Sequence, residues 1–211
     1  MAMKLLILGA SGGVGREATS LAVDRGMAVR AQTRDAARIA PRAGVEAFEA
    51  APTDARRLAD GLAGVDAVLF ALGVDTIRPT TLFSEATRAL IAAMDETGVR
   101  RLVAVTGVGA GETRGHGGWL YDRVIFPLFT RNRYADKDRQ EALLRASALD
   151  WTILRPAAFA AKAGAGGLEV HTSVAPNVVL RSVTREETAA TALDAIERGL
   201  WLREAVFFGR P

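Results

Sequence analysis

The sequence predicts an α/β protein built on one doubly wound parallel sheet. Three observations carry that prediction. Apolar runs of strand length alternate with stretches of helical length along most of the 211 residues, as a parallel sheet with crossover helices requires. The first run, Leu5-Leu6-Ile7-Leu8, leads into the glycine-rich turn Gly9-Ala10-Ser11-Gly12-Gly13-Val14-Gly15 and then a helix-like segment from Arg16 to Arg25. Gly26, Gly64 and Gly98 fall where helices end and the next strand approaches.

A short buried strand, a glycine turn and a helix form the opening of a dinucleotide-binding unit. Gly9 turns the chain sharply off the strand, Gly12 lets backbone approach a pyrophosphate, and Gly15 lets the helix pack closely on the sheet. With Ser11, Gly13 and Val14 they make a turn whose free N–H groups at the helix start favour negative charge. The expected architecture is therefore Rossmann-like, with the cofactor at the carboxyl ends of the strands.

The remaining elements follow in order. Strands are expected at Lys4–Leu8, Ala28–Thr33, Val45–Glu49, Ala67–Ala71, Leu102–Thr106 and Trp151–Leu154. Helices are expected near Gly13–Asp24, Asp54–Gly61, Thr80–Thr97 and Ala135–Ser147. Further on, Leu168–Ser173, Val178–Leu180 and Ala205–Phe208 read as strands, with a helix from Arg185 to Arg198.

Composition narrows the function classes. Hydrophobic residues make up 49% of the chain, as a folded globular protein needs. No apolar run is long enough to span a membrane, and the first one, cut short by Gly9, lacks a signal-peptide layout. The absence of cysteine excludes disulfides, thiolate metal sites and a cysteine nucleophile. No metal is expected, and a cytoplasmic location is the default expectation. The net charge of +3 comes mainly from arginine, scattered among many carboxylates. The densest basic group, Arg131, Arg133 and Arg139, is interrupted by Asp136 and Asp138 and reads as solvated helix surface. A nucleic-acid partner is not expected; a small-molecule substrate is.

The second strand ends in Thr33-Arg34. NAD-selective domains usually place an acidic side chain here for the ribose hydroxyls. Arg34 instead offers a planar, permanently charged fork suited to a phosphate, which argues for NADP. Thr33 is a second possible contact and Arg38 a more distant one. Asp35 has two readings: a ribose ligand if the strand ends one residue later, or a helix cap. Asp54 likewise either approaches the adenine amino group or caps a helix. Ala71 and Gly73, at the end of the fourth strand, would let the adenosine half lie against backbone.

Longer blocks carry a family resemblance. Arg78-Pro79-Thr80-Thr81, Ser84-Glu85-Ala86-Thr87 and Ile91-Ala92-Ala93-Met94 precede Gly98-Val99-Arg100-Arg101-Leu102-Val103. Lys137, Glu141, Leu144 and Ser147 then lead into Trp151-Thr152-Ile153-Leu154-Arg155-Pro156. With the G-x-x-G-x-x-G spacing of Gly9, Gly12 and Gly15, these blocks resemble atypical short-chain dehydrogenase/reductases over nearly the whole chain. They are similar to the NmrA-like NAD(P)H-binding family, which includes flavin reductase/biliverdin reductase B. The resemblance implies NADP binding, a small substrate pocket over the nicotinamide, and a nicotinamide lined by Pro156 and Phe159. Pro156 also admits the plain reading of a strand end. One domain, 1–211, is expected, with a Rossmann core over about 1–156 and a small mixed substrate-side portion over 157–211.

Typical members of the superfamily use a Tyr-x-x-x-Lys pair on one helix face, the lysine holding the cofactor ribose and the phenol relaying a proton. Spacing to Glu141 and Ser147 puts Lys137 at the lysine position and Arg133 at the tyrosine position. Tyr134 is adjacent but turned by roughly 100° on a helix of 3.6 residues per turn. Thr106 is the hydroxyl nearest the usual serine position; a strand-end threonine bonded to backbone is the other reading. The catalytic candidates are thus Lys137, Thr106 and Tyr134.

The glycine-rich loop from Gly107 to Gly118 is expected to cover the substrate, with His116 either a substrate contact or a solvent-exposed loop residue. The apolar run through Trp119, Tyr121, Ile125, Phe126, Leu128 and Phe129 reads as core, part of it able to wall a pocket or form a homodimer face. Together these expectations describe an NADPH-dependent oxidoreductase passing hydride to a small planar or carbonyl acceptor, such as a flavin, quinone or tetrapyrrole-like compound. The alternative is a non-catalytic NADP(H)-binding sensor of NmrA type.

Overall fold

The computed structural model describes residues 2–74, 76, 78–113, 123, 131–173 and 180–211. Strand β1 (Lys4–Leu8) shows no polar alternation because both its faces are covered. Leu5 and Ile7 belong to one core layer and Leu6 and Leu8 to the other, all fully buried. It is followed by β2 (Ala28–Thr33), β3 (Val45–Glu49), β4 (Ala67–Phe70), β5 (Arg101–Val105), β6 (Asp150–Pro156), β7 (Glu169–His171) and β8 (Glu204–Gly209). The sheet order is β3-β2-β1-β4-β5-β6-β8-β7, parallel through β8, with β7 antiparallel at the edge. Strand order reverses between β1 and β4, the switch point where a doubly wound sheet opens a crevice at its carboxyl edge.

Helices α1 (Gly13–Asp24) and α5 (Arg185–Glu197) cover the Leu5/Ile7 face. Helices α2 (Ala55–Leu62), α3 (Leu82–Thr97) and α4 (Arg131–Ala146) cover the other. The first three strands keep their expected limits. β6 runs two residues beyond its expected end because Arg155 and Pro156 pair with Phe207 and Phe208 of β8. The C-terminal stretch therefore supplies both a strand beside β6 and, through α5, part of a helical layer.

Helix α3 starts without help from its own N-cap, since Thr81 makes no side-chain capping bond. Asp136 of α4 does that work across the helix pair, accepting from Phe83 N at 2.8 Å and Ser84 N at 3.4 Å while fully buried. Asp138 accepts from Gly111 N at 2.8 Å. The Arg131–Arg139 stretch is therefore not plain solvated surface: its two carboxylates hold neighbouring backbone. No helix among the described residues is long and apolar enough to cross a membrane. His116, the apolar run 119–129 and most of the expected strand at 178–180 lie outside the described residues.

Candidate functional site

The glycine turn is built by close approach. Gly9 takes φ +78°, and a Cβ there would lie 3.0 Å from the Ala71 carbonyl oxygen and Leu72 Cα. A Cβ on Gly15 would press into the turn, 2.8 Å from Ala10 Cα, so α1 can meet the turn only through glycine. Gly12 N donates to Gly9 O at 2.9 Å. Gln32, which the sequence pattern does not single out, braces this arrangement. Gln32, 1% exposed, accepts from Gly9 N at 2.9 Å and donates to Ala50 O at 2.7 Å, tying the ends of β1, β2 and β3 together. Its signal in the sequence is an amide in an otherwise apolar strand end beside a glycine turn.

At the end of β2 the Thr33 hydroxyl lies 3.4 Å from Ser11 Oγ and donates to Asp35 O at 3.1 Å. Arg34 is exposed and, among the described residues, has no carboxylate partner. Asp35 accepts from Ala37 N at 3.0 Å, capping a single 3₁₀ turn, and Asp54 caps α2 by accepting from Arg57 N at 3.1 Å. Both acids thus make the cap bonds, and Arg34 stands beside them with its guanidinium exposed.

A cavity of about 750 Å³ opens beyond the turn. Gly12, Gly13 and Val14 border it on one side, and Ala71 and Gly73 follow at the end of β4. A Cβ on Gly73 would touch nothing within 4 Å, so the protein itself does not require glycine there. Thr106, Tyr134, Lys137, Pro156 and Phe159 also line it. The lining includes the cations Arg133, Lys137, Arg181 and Arg185 and, among the described residues, neither aspartate nor glutamate. Such a lining favours an anionic occupant.

Helix α4 delivers three residues to this cavity. Lys137 Nζ donates to Thr106 O at 2.8 Å, with Val105 O at 3.4 Å, and stands 4.7 Å above the Phe83 ring. Burial lowers its pKa to about 8, with Glu141 opposing the shift and Arg133 adding to it. Arg133 donates to Val74 O at 3.2 Å. The Tyr134 hydroxyl reaches the end of β5, 2.7 Å from where a Gly107 Cβ would stand. Arg133 and Tyr134 diverge by one helical step, yet the cavity is wide enough to be bordered by both.

Thr106 is engaged differently from either reading of its sequence position. Its hydroxyl donates to Glu141 Oε1 at 2.8 Å. Glu141 in turn receives Arg155 through Nε at 3.0 Å and Nη2 at 2.5 Å, both side chains almost wholly buried. This pair joins α4 to β6 and fixes the end of β5. The block from Lys137 to Pro156 is thus one connected unit, with Lys137 and Tyr134 facing the cavity and Glu141 and Arg155 behind them.

The chain is similar to known proteins in sequence and in fold. The chain is 28% identical over 207 residues to YhfK of Bacillus subtilis, an uncharacterized sugar epimerase, covering 92% of this chain and 88% of that one. A wide-type short-chain dehydrogenase/reductase from Veillonella parvula, crystallised with NADP, has a TM-score of 0.81 at 18% identity, over 100% of this chain and 96% of that one. ChuY, an anaerobillin reductase from Escherichia coli O157:H7, has a TM-score of 0.79 at 23% identity, over 99% and 98%. Both structures share the fold. The NAD(P)H-binding family model matches residues 9–198, from the glycine turn through the cavity-lining block to the end of α5, and the chain belongs to that family.

Proposed function

We propose that this protein is an NADPH-dependent oxidoreductase that reduces a small planar or carbonyl acceptor of the flavin, quinone or tetrapyrrole kind. One observation carries the reading: a single cation-lined cavity runs from the bare glycine turn to Tyr134 and Lys137. When bound, NADPH supplies the hydride. The chain's residues contribute position and charge. The turn of Gly9, Ser11, Gly12, Gly13, Val14 and Gly15 receives the pyrophosphate. Arg34, with Thr33 beside it, takes the 2′-phosphate. Ala71 and Gly73 leave room for the adenosine half, while Pro156 and Phe159 line the nicotinamide. Lys137, anchored on two strand-end carbonyls, holds the nicotinamide ribose. Tyr134 is the proton donor to the acceptor, and Thr106, its hydroxyl committed to Glu141, is a positioning residue. The reductase names of the Veillonella and ChuY relatives support the same class.

The test offers FMN, quinones and aldehydes in turn and follows NADPH oxidation. Turnover with one acceptor class that drops sharply in Tyr134→Phe is the expected result. NADPH binding without turnover on any of them would instead favour a redox-sensing role, to which Arg133 at the usual tyrosine position lends support. Cofactor choice is tested separately: Arg34→Ala should weaken NADPH by about tenfold or more and leave NADH nearly unchanged, the loss expected for one charge-assisted phosphate contact. An equal loss for both would remove Arg34 from that role.

A further inference from the structure

The glycine turn contains one glycine that the turn itself does not explain. Gly13 has no positive φ, yet a Cβ there would lie 2.5 Å from both Cδ and Nε of Arg185. Arg185 is the first residue of α5, and its side chain lies across the start of α1. Its guanidinium carbon stands 5.1 Å from the centre of the Phe159 ring, on the segment that follows β6 and lines the cavity. The side chain is solvent-exposed, and among the described residues no carboxylate pairs with it. The nearby Glu187 is committed to Arg210 and to the Thr184 backbone. A cation in the first turn of α5 also opposes the helix dipole, so the stability of α5 does not account for it.

We infer that Arg185 is a cofactor-binding residue that closes on the dinucleotide pyrophosphate. The inference rests on the NADPH reading above. The side chain already crosses Gly13, at the helix start where the turn's free N–H groups meet phosphate, and its planar fork suits two phosphate oxygens. Phe159 holds the guanidinium by a cation–π contact at the cavity's edge. Gly13 leaves the space through which Arg185 passes, and the dinucleotide links the first βα turn to a helix from the last third of the chain.

The test measures NADPH and NADH affinity by fluorescence titration, and adenosine 2′-monophosphate affinity by calorimetry, in wild type, Arg185→Ala and Gly13→Ala. Arg185→Ala should weaken NADPH and NADH by the same factor, about tenfold, as loss of one charge-assisted hydrogen bond predicts. Adenosine 2′-monophosphate, which lacks the pyrophosphate, should bind as in wild type. Gly13→Ala should weaken NADPH similarly, and combining it with Arg185→Ala should add little further loss. Wild-type NADPH affinity in Arg185→Ala would overturn the inference, as would an equal loss of adenosine 2′-monophosphate. Failure of the wild-type protein to bind NADPH would instead overturn the oxidoreductase reading.

Discussion

Replacing Arg155 by methionine isolates the buried pair behind the cavity. Arg155 is 1% exposed and Glu141 3%, so the substitution leaves a carboxylate in the interior. The Thr106 hydroxyl at 2.8 Å and the half-exposed Arg145 at 3.7 Å remain beside it. Neither replaces the two-point contact with the Arg155 guanidinium. Breaking a buried ion pair from one side costs about 3–5 kcal/mol. At about 2–4 °C per kcal/mol for a chain of this size, Arg155→Met should melt roughly 6–20 °C below wild type. Thermal unfolding at pH 7 measures this directly. The double variant Glu141→Leu/Arg155→Met removes both charges, and should recover most of the loss because the two sites are strongly coupled. Cofactor affinity should stay low in that double variant, since Thr106 has lost its anchor. A single variant melting within about 2 °C of wild type would refute the reasoning, for the cost of an unpaired interior charge is far larger than that shift. So would a double variant whose loss equals the sum of the two single losses.

Three further outcomes follow from the same geometry. Gly15→Ala and Gly73→Ala should separate folding from binding. The first drives a methyl into the turn backbone and should lower stability by about 1–3 kcal/mol, whereas the second meets only open cavity and should lower NADPH affinity at unchanged melting temperature. Lys137 is cationic below its pKa of about 8, so NADPH affinity should fall as pH rises through that value, and Lys137→Met should flatten the step. Glu187, held down to about 2 by Arg210, stabilises the fold fully above the ordinary value of 4.5 and loses that contribution as pH falls from 4.5 toward 2. The destabilisation caused by Glu187→Gln at pH 7 should therefore shrink over that acid range in parallel urea titrations.

What the sequence made legible was mostly local. The limits of β1, β2 and β3 follow from runs of apolar residues with turn residues between them, and the glycine turn follows from one left-handed residue, Gly9, and from a close approach at Gly15 that only glycine permits. The chemistry that connects distant segments was less accessible. Glu141 and Arg155 stand out by position, but nothing in their spacing says that they bond to each other or that Thr106 joins them. Gln32 looks like one polar residue in a strand until its amide is found bridging Gly9 and Ala50. Arg185 is separated from Gly13 by most of the chain, so only an unexplained glycine pointed toward it. The helical step between Arg133 and Tyr134 is available from the sequence as an angle. What the angle could not supply was the breadth of the cavity that both residues border.

The buried carboxylate of Asp136 has a consequence for the cavity that its helix borders. By bonding to the first amides of α3, it sets the rotational phase of α4 about its own axis. Tyr134 and Lys137 flank Asp136 in sequence, so their reach into the cavity is indexed by a bond formed beside them. A substitution of Asp136, whose own side chain does not line the cavity, would turn the helix and read out kinetically as a defect in the site.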